Sequence, residues 1–305
     1  MDKIHSLLNQ FKTNIKINPY PYLAILICIV WLLISFVFSA PFSNKQKVIH
    51  VAYNDSLNKI SLNLKDQRVI RSRFTFKVLV TVFSGDRSIP RGDYLFKKNE
   101  NIFSVSWQVA RGIHKVQPIR VTLKEGMTNE QMASVLADKI PGFRKDLFLG
   151  DNKAKQGYLF PDTYFLYPLS ETSEILSDLT SNFNKKISKL ENDVKNSDHS
   201  LDDIIKMASI IQKEAHGKDD AYIISGILWK RINMGLALQV DAAPKTYENA
   251  GLPDEPICNP GFIAIDAALH PEKSPYLFYL HDDSGQVHYA VDFSEHRSNI
   301  AHYLK

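Results

Sequence analysis

Cysteine is almost absent from this 305-residue sequence, which contains only Cys28 and Cys258. The first lies within an apolar run and the second lies far away in the C-terminal part, so we expect no disulfide between them. No CxxC or zinc-ribbon spacing occurs. A disulfide framework and a cysteine-based zinc site are therefore excluded.

Motifs of several enzyme classes are also lacking. The sequence has no GxSxG nucleophile elbow, no glycine-rich phosphate loop and no HExxH pair. Five histidines near the C-terminus are eleven, seven, eight and six residues apart, which does not match a helical pair of metal ligands: His270, His281, His288, His296 and His302. We expect no metal and no cofactor.

Charge of one sign is not concentrated anywhere in the chain. The formal net charge is +4, and no run of lysine or arginine occurs. Nucleic-acid-binding proteins need clustered basic residues to neutralise phosphates, so we expect no nucleic-acid partner. A small positive charge is compatible with an anionic polymer or a membrane surface.

A long uncharged run is present near the N-terminus. Residues 22–38 read YLAILICIVWLLISFVF, with one serine as the only polar residue. With its flanks the run extends over 20–42, about the 20 residues needed to cross a bilayer, and is too long for a cleaved signal peptide. Three lysines precede it and place residues 1–19 in the cytoplasm by the positive-inside rule: Lys3, Lys12 and Lys16. We predict a transmembrane anchor at 20–42, with the remainder outside the cytoplasm.

The chain after the anchor predicts an α+β fold. Residues 43–66 are polar and predict a stalk. Residues 67–150 predict a small α/β domain, in which the β-branched and aromatic stretch 68–83 indicates strands. Thr128 and Gln131 have the spacing of a capping box at the start of a helix.

Residues 151–305 predict a larger, mixed α+β domain. Its clearest helices are at 201–215 and about 220–233, and short strands are expected at 236–240, 276–280 and 287–291.

The predicted helix at 201–215 places one glutamate on an apolar face. Met207, Ile211 and Glu214 recur at helical spacing. Burial disfavours the charged form of a carboxyl group and raises its pKa. A carboxylic acid that stays protonated near neutral pH can protonate a glycosidic oxygen. The alternative is a helix-end glutamate that reaches water or pairs with Lys218.

An ordered set of segments follows the predicted anchor. They are EGMTNEQMASVLAD (125–138), GYLFPDTY (157–164), MASIIQKEA (207–215), LALQVD (236–241), GLPDEPICNPG (251–261), AALHPEKSPYLFY (267–279) and HYAVDFSEHRSNIAHYL (288–304). The set resembles the endolytic murein transglycosylases of the YceG-like family, and the first segment resembles a helix start in the family's LysM-like domain. This resemblance implies that 67–150 is LysM-like and that 151–305 is the catalytic domain.

The resemblance also implies an activity, a lyase that cleaves the glycan strands of bacterial peptidoglycan. Glu214 matches the family's catalytic glutamate, at the end of an ASI-x-x-K-E run. It would donate a proton to the leaving oxygen and then activate the C6 hydroxyl of the same N-acetylmuramic acid. A 1,6-anhydro ring closes without water, so one carboxyl group suffices where hydrolases normally use two.

The resembling segments also supply candidate substrate-binding residues. Gln239 and Asp241 could hydrogen-bond sugar hydroxyls or orient Glu214. The other candidates are Tyr158, Phe160, Asp162, Thr163, Tyr164, Asn259 and His270. Structural roles are the alternatives for several of them: core packing for the aromatic residues at 158 and 160, a turn for 162, and fixed loops for 259 and 270.

One stretch of the family pattern is missing. In the family a longer segment follows LQ-x-D, whereas here Asp241 runs almost directly into Gly251. The missing segment normally helps to wall the cleft, so its absence affects how the substrate is held.

Two other functions stay open from the sequence. One is a muramidase that uses water, with Asp241 as a second carboxylate. The other is a non-catalytic peptidoglycan-binding scaffold for cell-wall assembly. The resemblance favours a single-pass protein of the bacterial cytoplasmic (inner) membrane that terminates the elongation of nascent strands, with glycan polymerases or penicillin-binding proteins as partners.

Overall fold

The computed structural model describes residues 20–38, 45–85, 88–151 and 154–304. The chain divides into two compact units, and the division lies between Val116 and Gln117 in the sequence. The predicted boundary near residue 150 therefore lies too late in the chain. The physical reason is strand pairing, because the strand at Ile119–Thr122 (β3) is hydrogen-bonded to the strand at Thr163–Leu166 (β4).

The first unit begins with helix α1, Tyr20–Phe38. Residues 1–19 and 39–42, the predicted cytoplasmic segment and the end of the predicted anchor, lie outside the described residues. Within the part of the chain that the structure describes, no helix combines the length and the hydropathy that a membrane span requires.

The remainder of the first unit is a small α/β fold. Its elements are β1 (Lys47–Val51), α2 (Leu57–Asp66), α3 (Arg73–Ser84), β2 (Gly92–Phe96) and α4 (Ile102–Arg111). Strands β1 and β2 are antiparallel. The predicted stalk is wrong from residue 47 onward, because Ile49 and Val51 alternate into the core and Ile60 and Leu64 add one buried helix face.

The stretch 68–83, which predicted strands, contains helix α3. The Ser72 side chain accepts a hydrogen bond from the Thr75 N–H and so caps its first turn. Phe76 and Val80, one turn apart, are both fully buried. Burial of this face outweighs the strand preference of the valine and aromatic residues around it.

The second unit is a mixed α+β fold, which confirms the predicted class. Its further helices are α5 (Asn129–Lys139), α6 (Lys145–Gly150), α7 (Thr172–Ile187), α8 (Glu191–Asn196), α9 (Leu201–Glu214), α10 (Lys218–Asn233), α11 (Phe262–Leu269) and α12 (Phe293–Tyr303). Strands β5 (Phe278–His281) and β6 (Val287–Ala290) form an antiparallel hairpin. The capping box of Thr128 and Gln131 is present at the start of α5, as predicted.

Helix α9 lies at the centre of the second unit. All five residues from Met207 to Ile211 are buried. Helices α10 and α11 pack on α9, and the aliphatic residues of the three helices form one continuous core. A second core of the same unit lies between α5, α7 and the β3–β4 pair. The buried body of α9 thus fixes the position of its last residue, Glu214.

Candidate active site

Glu214 ends helix α9 at the point where the helix leaves the core. The Ser200 side chain caps the other end of the helix, and the helical bonds close with the Ala215 N–H donating to the Ile211 carbonyl. The Glu214 side chain is half-buried. The Tyr279 hydroxyl, on strand β5, donates a hydrogen bond to Glu214 Oε2 at 3.0 Å.

The surroundings of Glu214 raise the pKa of its carboxyl group. Burial is the largest cause, and the negative charge of Asp241 acts in the same direction. The hydrogen bond from Tyr279, a backbone hydrogen bond from Ala242 and nearby His216 oppose the rise. The raised pKa has the direction that the helical pattern predicts. It favours the protonated form, as a group that donates a proton to a leaving oxygen requires.

Gln239 lies in a loop that Arg231 holds in place. Arg231, on α10, donates from Nε and Nη2 to the Ala237 carbonyl at 3.0 and 2.6 Å, and from Nη2 to Gln239 Oε1 at 2.7 Å. Gln239 has a left-handed φ of 53°, a conformation that costs energy for a residue with a side chain. The predicted strand at 236–240 is therefore wrong, because these bonds fold the segment into a loop.

Asp241 follows in the same loop. Its Oδ1 accepts a hydrogen bond from the Tyr247 hydroxyl at 2.6 Å. A short 3₁₀ helix, Pro244–Tyr247, joins the two residues. Inside this turn the buried Thr246 hydroxyl donates to the Ala243 carbonyl at 2.7 Å and accepts from the Val240 N–H at 3.1 Å. The short connection after Asp241 is thus a closed turn, stabilised by its own hydrogen bonds.

Glu214, Gln239 and Asp241 line one cleft with a volume of about 460 Å³. The structure therefore brings together three of the candidate residues. The rest of the lining comes from α10, from the loop around Gln239, from strand β5, from helix α12 and from the residue after it: Arg231, Leu238, Tyr247, Phe278, Tyr279, Leu280, His281, Phe293, His296, Ile300 and Leu304. A carboxyl group with a raised pKa beside a second carboxylate is an arrangement suited to acid/base chemistry.

Asn259 is not part of this cleft. It is fully buried, and its side-chain oxygen accepts from the N–H groups of Gly157 and Leu159 at 2.9 and 3.1 Å. Its amide nitrogen donates to the Met127 carbonyl at 3.1 Å and to Asn129 Oδ1 at 2.8 Å. The side chain therefore ties three loops together, which is the structural alternative considered for it.

The 158–164 segment also packs away from the cleft. Tyr158 donates to Asp202 Oδ1 at 2.7 Å, and Phe160 lies in the core. Asp162 accepts from Asn182 Nδ2 at 3.1 Å, and Tyr164 donates to the Phe160 carbonyl at 2.6 Å.

The two remaining candidates lie elsewhere as well. Thr163 pairs with Thr122 across β3 and β4, with 3.0 Å between the hydroxyl oxygens. His270 is exposed at the end of α11, with its Nδ1 3.2 Å from a carboxylate oxygen of Asp266. The structure does not bring any residue of 158–164, or His270, into the lining of the Glu214 cleft.

Several residues of the cleft were not singled out by sequence reasoning. Tyr279 lies in a segment that resembles the family, but nothing in its spacing relates it to Glu214, 65 residues earlier. The sequence around Arg231 is typical of an exposed helix end, and the sequence around Tyr247 is typical of a turn. Neither pattern indicates a functional site. In α12, Phe293, His296 and Ile300 recur at helical spacing, a signal that could have indicated a shared face although polar residues lie between them.

Among the described residues, no group of three or more histidine, cysteine, aspartate or glutamate side chains is placed to hold a metal ion.

Comparison with known proteins assigns the chain to a family. The sequence profile of the YceG-like family matches residues 49–245 and 245–302. The chain therefore belongs to the YceG-like family. The match is divided at Lys245, within the short connection after Asp241, where the sequence predicts a missing segment.

Named relatives and a solved structure extend this assignment. The chain is 25% identical to an endolytic murein transglycosylase of Bacillus subtilis (strain 168), over 84% of each chain. It is 23% identical to an endolytic murein transglycosylase of Streptococcus pneumoniae (serotype 2), over 65% of this chain and 42% of that protein. A crystal structure of a YceG-like protein from Listeria monocytogenes has the same fold, with a TM-score of 0.53 and 24% identity, over 84% of this chain and 99% of that one.

Proposed function

We propose that the protein is a peptidoglycan lytic transglycosylase with Glu214 as its single acid/base. The observation that carries this proposal is a half-buried carboxyl group with a raised pKa, lining a cleft of about 460 Å³ at the end of a buried helix. The names of the Bacillus and Streptococcus relatives support the same reaction class.

In the proposed reaction Glu214 acts twice. Its carboxylic acid gives a proton to the glycosidic oxygen as the bond from C1 of N-acetylmuramic acid to that oxygen breaks. The resulting carboxylate takes a proton from the C6 hydroxyl of the same sugar, and O6 forms the new bond to C1. The products are a 1,6-anhydro end and a free hydroxyl, and Glu214 is again protonated, so no water is consumed.

The neighbours of Glu214 are suited to both steps. The carboxyl group must lose and regain a proton near neutral pH, so its pKa has to lie between that of an exposed glutamate and that of a fully desolvated one. Burial and Asp241 raise this pKa, whereas the hydrogen bond from Tyr279 lowers it. These opposing effects keep both protonation states accessible.

Mass spectrometry of the cleavage products tests the reaction class. Uncrosslinked glycan strands are incubated with the full chain in detergent, with Glu214→Gln, and with Glu255→Gln as a matched control at an exposed position outside the cleft. We expect 1,6-anhydro ends from the wild type and the control but not from Glu214→Gln.

Two results would contradict the proposal. Reducing N-acetylmuramic acid ends that disappear in Glu214→Gln would identify a hydrolase, with Asp241 as the second carboxylate of the same cleft. Strand binding without cleavage by the wild type would identify a scaffold.

We also propose that residues 20–42 anchor the protein in the bacterial cytoplasmic membrane, with the chain after them outside the cytoplasm. The support is the uncharged sequence, which extends beyond the described helix, and the exposure of its large apolar side chains: Leu26 is 57% exposed and Trp31 66%. Contiguous exposed apolar surface of this kind is unfavourable in water. The LysM-like character of residues 67–150 stays a prediction from the resemblance.

Alkaline carbonate extraction of cell membranes tests the anchor with the full chain. We expect the wild type to stay in the membrane pellet and the double variant Leu26→Lys, Ile29→Lys to be released, because each charge in a bilayer core costs about 3 kcal/mol. The same change at exposed Leu62, in α2, serves as the control and should not release the protein. Release of the wild type would contradict an anchored protein.

A role in terminating nascent strands, next to glycan polymerases or penicillin-binding proteins, is the cellular part of this proposal. It predicts that cells carrying Glu214→Gln in place of the wild type have longer glycan strands, as measured by chromatography of strands freed from their peptides. Unchanged strand length would argue against this role without bearing on the chemistry.

A further inference from the structure

The lining of the Glu214 cleft combines side chains of two kinds. One set is polar and includes Glu214, Arg231, Gln239, Asp241 and Tyr247. The other set comes from the first residue of β5, from helix α12 and from the residue after it, and its side chains are Phe278, Phe293, His296, Ile300 and Leu304. We call this second set the apolar wall.

Aromatic contacts fix the apolar wall to the β5–β6 hairpin. The Phe278 ring lies 5.9 Å from the Phe293 ring and stacks on His296 at 5.1 Å. At the far end of α12, Tyr303 stacks on His288 of β6 at 3.5 Å between ring centroids. The Asp292 side chain caps the first turn by accepting from the Glu295 N–H. The helix is therefore held at both ends.

The five side chains of the apolar wall are themselves uncharged. The Arg231 guanidinium lies over the Phe278 ring at 5.2 Å, where its donors are bonded to the Ala237 and Leu277 carbonyls and to Gln239. Burial and the charge of Arg231 lower the pKa of His296, so its imidazole is neutral at neutral pH. The wall itself therefore offers an uncharged surface to a ligand.

Apolar side chains of this wall are left uncovered by the protein. No residue of α12 is fully buried, and Phe293 is 60%, Ile300 39% and Leu304 43% exposed. Side chains of this type that line a cleft beside polar groups are typical of ligand sites, where apolar area gives affinity and a few polar groups fix orientation.

We propose that the apolar wall binds the acetamido methyl groups and C–H faces of the sugars and thereby selects N-acetylated over de-N-acetylated strands. This inference rests on the proposed function of the Glu214 cleft. A pyranose with an acetamido group has hydroxyls for the polar set and a methyl group for the apolar one. Removal of the acetyl group takes away that methyl contact and leaves an ammonium group, which is costly to place against an apolar surface.

The apolar wall gains importance because this chain lacks the family segment that normally follows Asp241 and helps to wall the cleft. The family match is divided at Lys245, and the connection there is the closed turn that ends at Tyr247. Helix α12 then contributes three of the residues that line the cleft, Phe293, His296 and Ile300. Selectivity should consequently depend on its apolar residues.

Steady-state kinetics on two matched substrates test this inference. The full chain is assayed on fully N-acetylated strands and on the same strands after partial chemical de-N-acetylation. We expect the wild type to prefer the acetylated strands at least tenfold in kcat/KM, since a methyl contact in an apolar site is worth about tenfold or more. Phe293→Ala and Ile300→Ala should reduce this preference to about threefold, through KM and not kcat.

The control is Arg297→Ala, at an exposed position of the same helix that does not line the cleft. It should keep the wild-type preference. Thermal unfolding of each variant tests for a general loss of structure.

Two outcomes would overturn the inference. One is a wild type that does not distinguish the two substrates. The other is a set of wall variants that lose activity equally on both, as expected if α12 only supports the fold.

A binding measurement keeps the test valid if the proposed reaction is wrong. The Kd values of Glu214→Gln for both strands, with and without Ile300→Ala, report the wall directly and need no turnover. Loss of the preference with Ile300→Ala in this measurement supports the wall even if the wild type forms no anhydro ends. An unchanged ratio of Kd values overturns it.

Discussion

Asn259 and Glu214 are two polar side chains of the same unit that differ in burial and in hydrogen bonding. Asn259 is fully buried and makes two accepted and two donated hydrogen bonds, all to groups of the protein. Glu214 is half-buried, accepts a hydrogen bond from Tyr279, and lies near the like charge of Asp241. The first side chain is enclosed by protein partners, whereas the second lines the cleft.

The difference distinguishes a structural polar group from a functional one. A buried amide stabilises a fold when all of its hydrogen bonds are made, and it costs energy when one is lost. A carboxyl group with a raised pKa is unfavourable for the fold when it is ionised, and such groups are found at sites where proton transfer is needed. Both residues lie in segments that resemble the family, and both are candidate site residues from the sequence.

The largest expected effect is on catalysis. Glu214→Gln removes the proton donor while keeping the shape of the side chain, so we expect the rate of anhydro-end formation to fall about 10²- to 10⁴-fold. The control for Glu214→Gln is Asn249→Ala, at an exposed position, which should keep wild-type activity. A change of Asn259 to Gln is not used, because the longer side chain would not fit the buried site. A Glu214→Gln variant with more than a tenth of wild-type activity would exclude Glu214 as the acid.

The next effect is on stability. Asn259→Ala leaves the N–H groups of Gly157 and Leu159 and the acceptors on Met127 and Asn129 without this partner. We expect the free energy of unfolding of the second unit to fall by about 3 kcal/mol, measured by urea denaturation. Activity per folded molecule should change little, because Asn259 does not line the cleft. An Asn259→Ala variant that keeps its stability but loses activity would show that Asn259 has a functional role and not a structural one.

A smaller effect is expected on pH dependence. The acid must be protonated, so the rate falls as the pH rises through the pKa of Glu214. Asp241→Asn removes a negative neighbour and should move this alkaline limb to lower pH, by about half a unit to one unit. Tyr279→Phe removes a hydrogen bond that lowers the pKa and should move the limb to higher pH. Profiles of kcat against pH measure both shifts, and shifts in the same direction would contradict this account.

The smallest effect is on the thermal stability of Glu214→Gln itself. The folded protein raises the pKa of Glu214, so the stability that the protonated group contributes is present at low pH and is lost as the pH rises through the folded pKa. The neutral glutamine should therefore raise Tm at pH 7, by about 2–4 °C for about 1 kcal/mol.

The pH dependence of this Tm difference provides its control. It should shrink toward about pH 4, where the wild-type carboxyl group is protonated as well. A difference that is independent of pH would point to packing and not to charge.

Local sequence patterns predicted the elements whose signals are short-range. The capping box at Thr128, the helix that ends at Glu214 and the hairpin strands near residues 280 and 290 lie where the patterns place them. The same reasoning failed at α3, where Phe76 and Val80 form a buried face within a stretch of high strand propensity. It also failed at 236–240, where Arg231 from α10 bends the chain into a loop.

The sequence by itself predicted the candidate acid/base, because helical spacing places Glu214 on an apolar stripe and its segment resembles that of the family's catalytic glutamate. The tertiary structure alone decided which residues share the cleft with Glu214. It brought in Gln239, Asp241, Tyr279 and the apolar side of α12, and it left the 158–164 segment and Asn259 to hold the fold. The physical reason is separation in sequence. The hydrogen bond between Glu214 and Tyr279 joins residues 65 positions apart, and only packing of the β5–β6 hairpin beside α9 brings them within 3.0 Å.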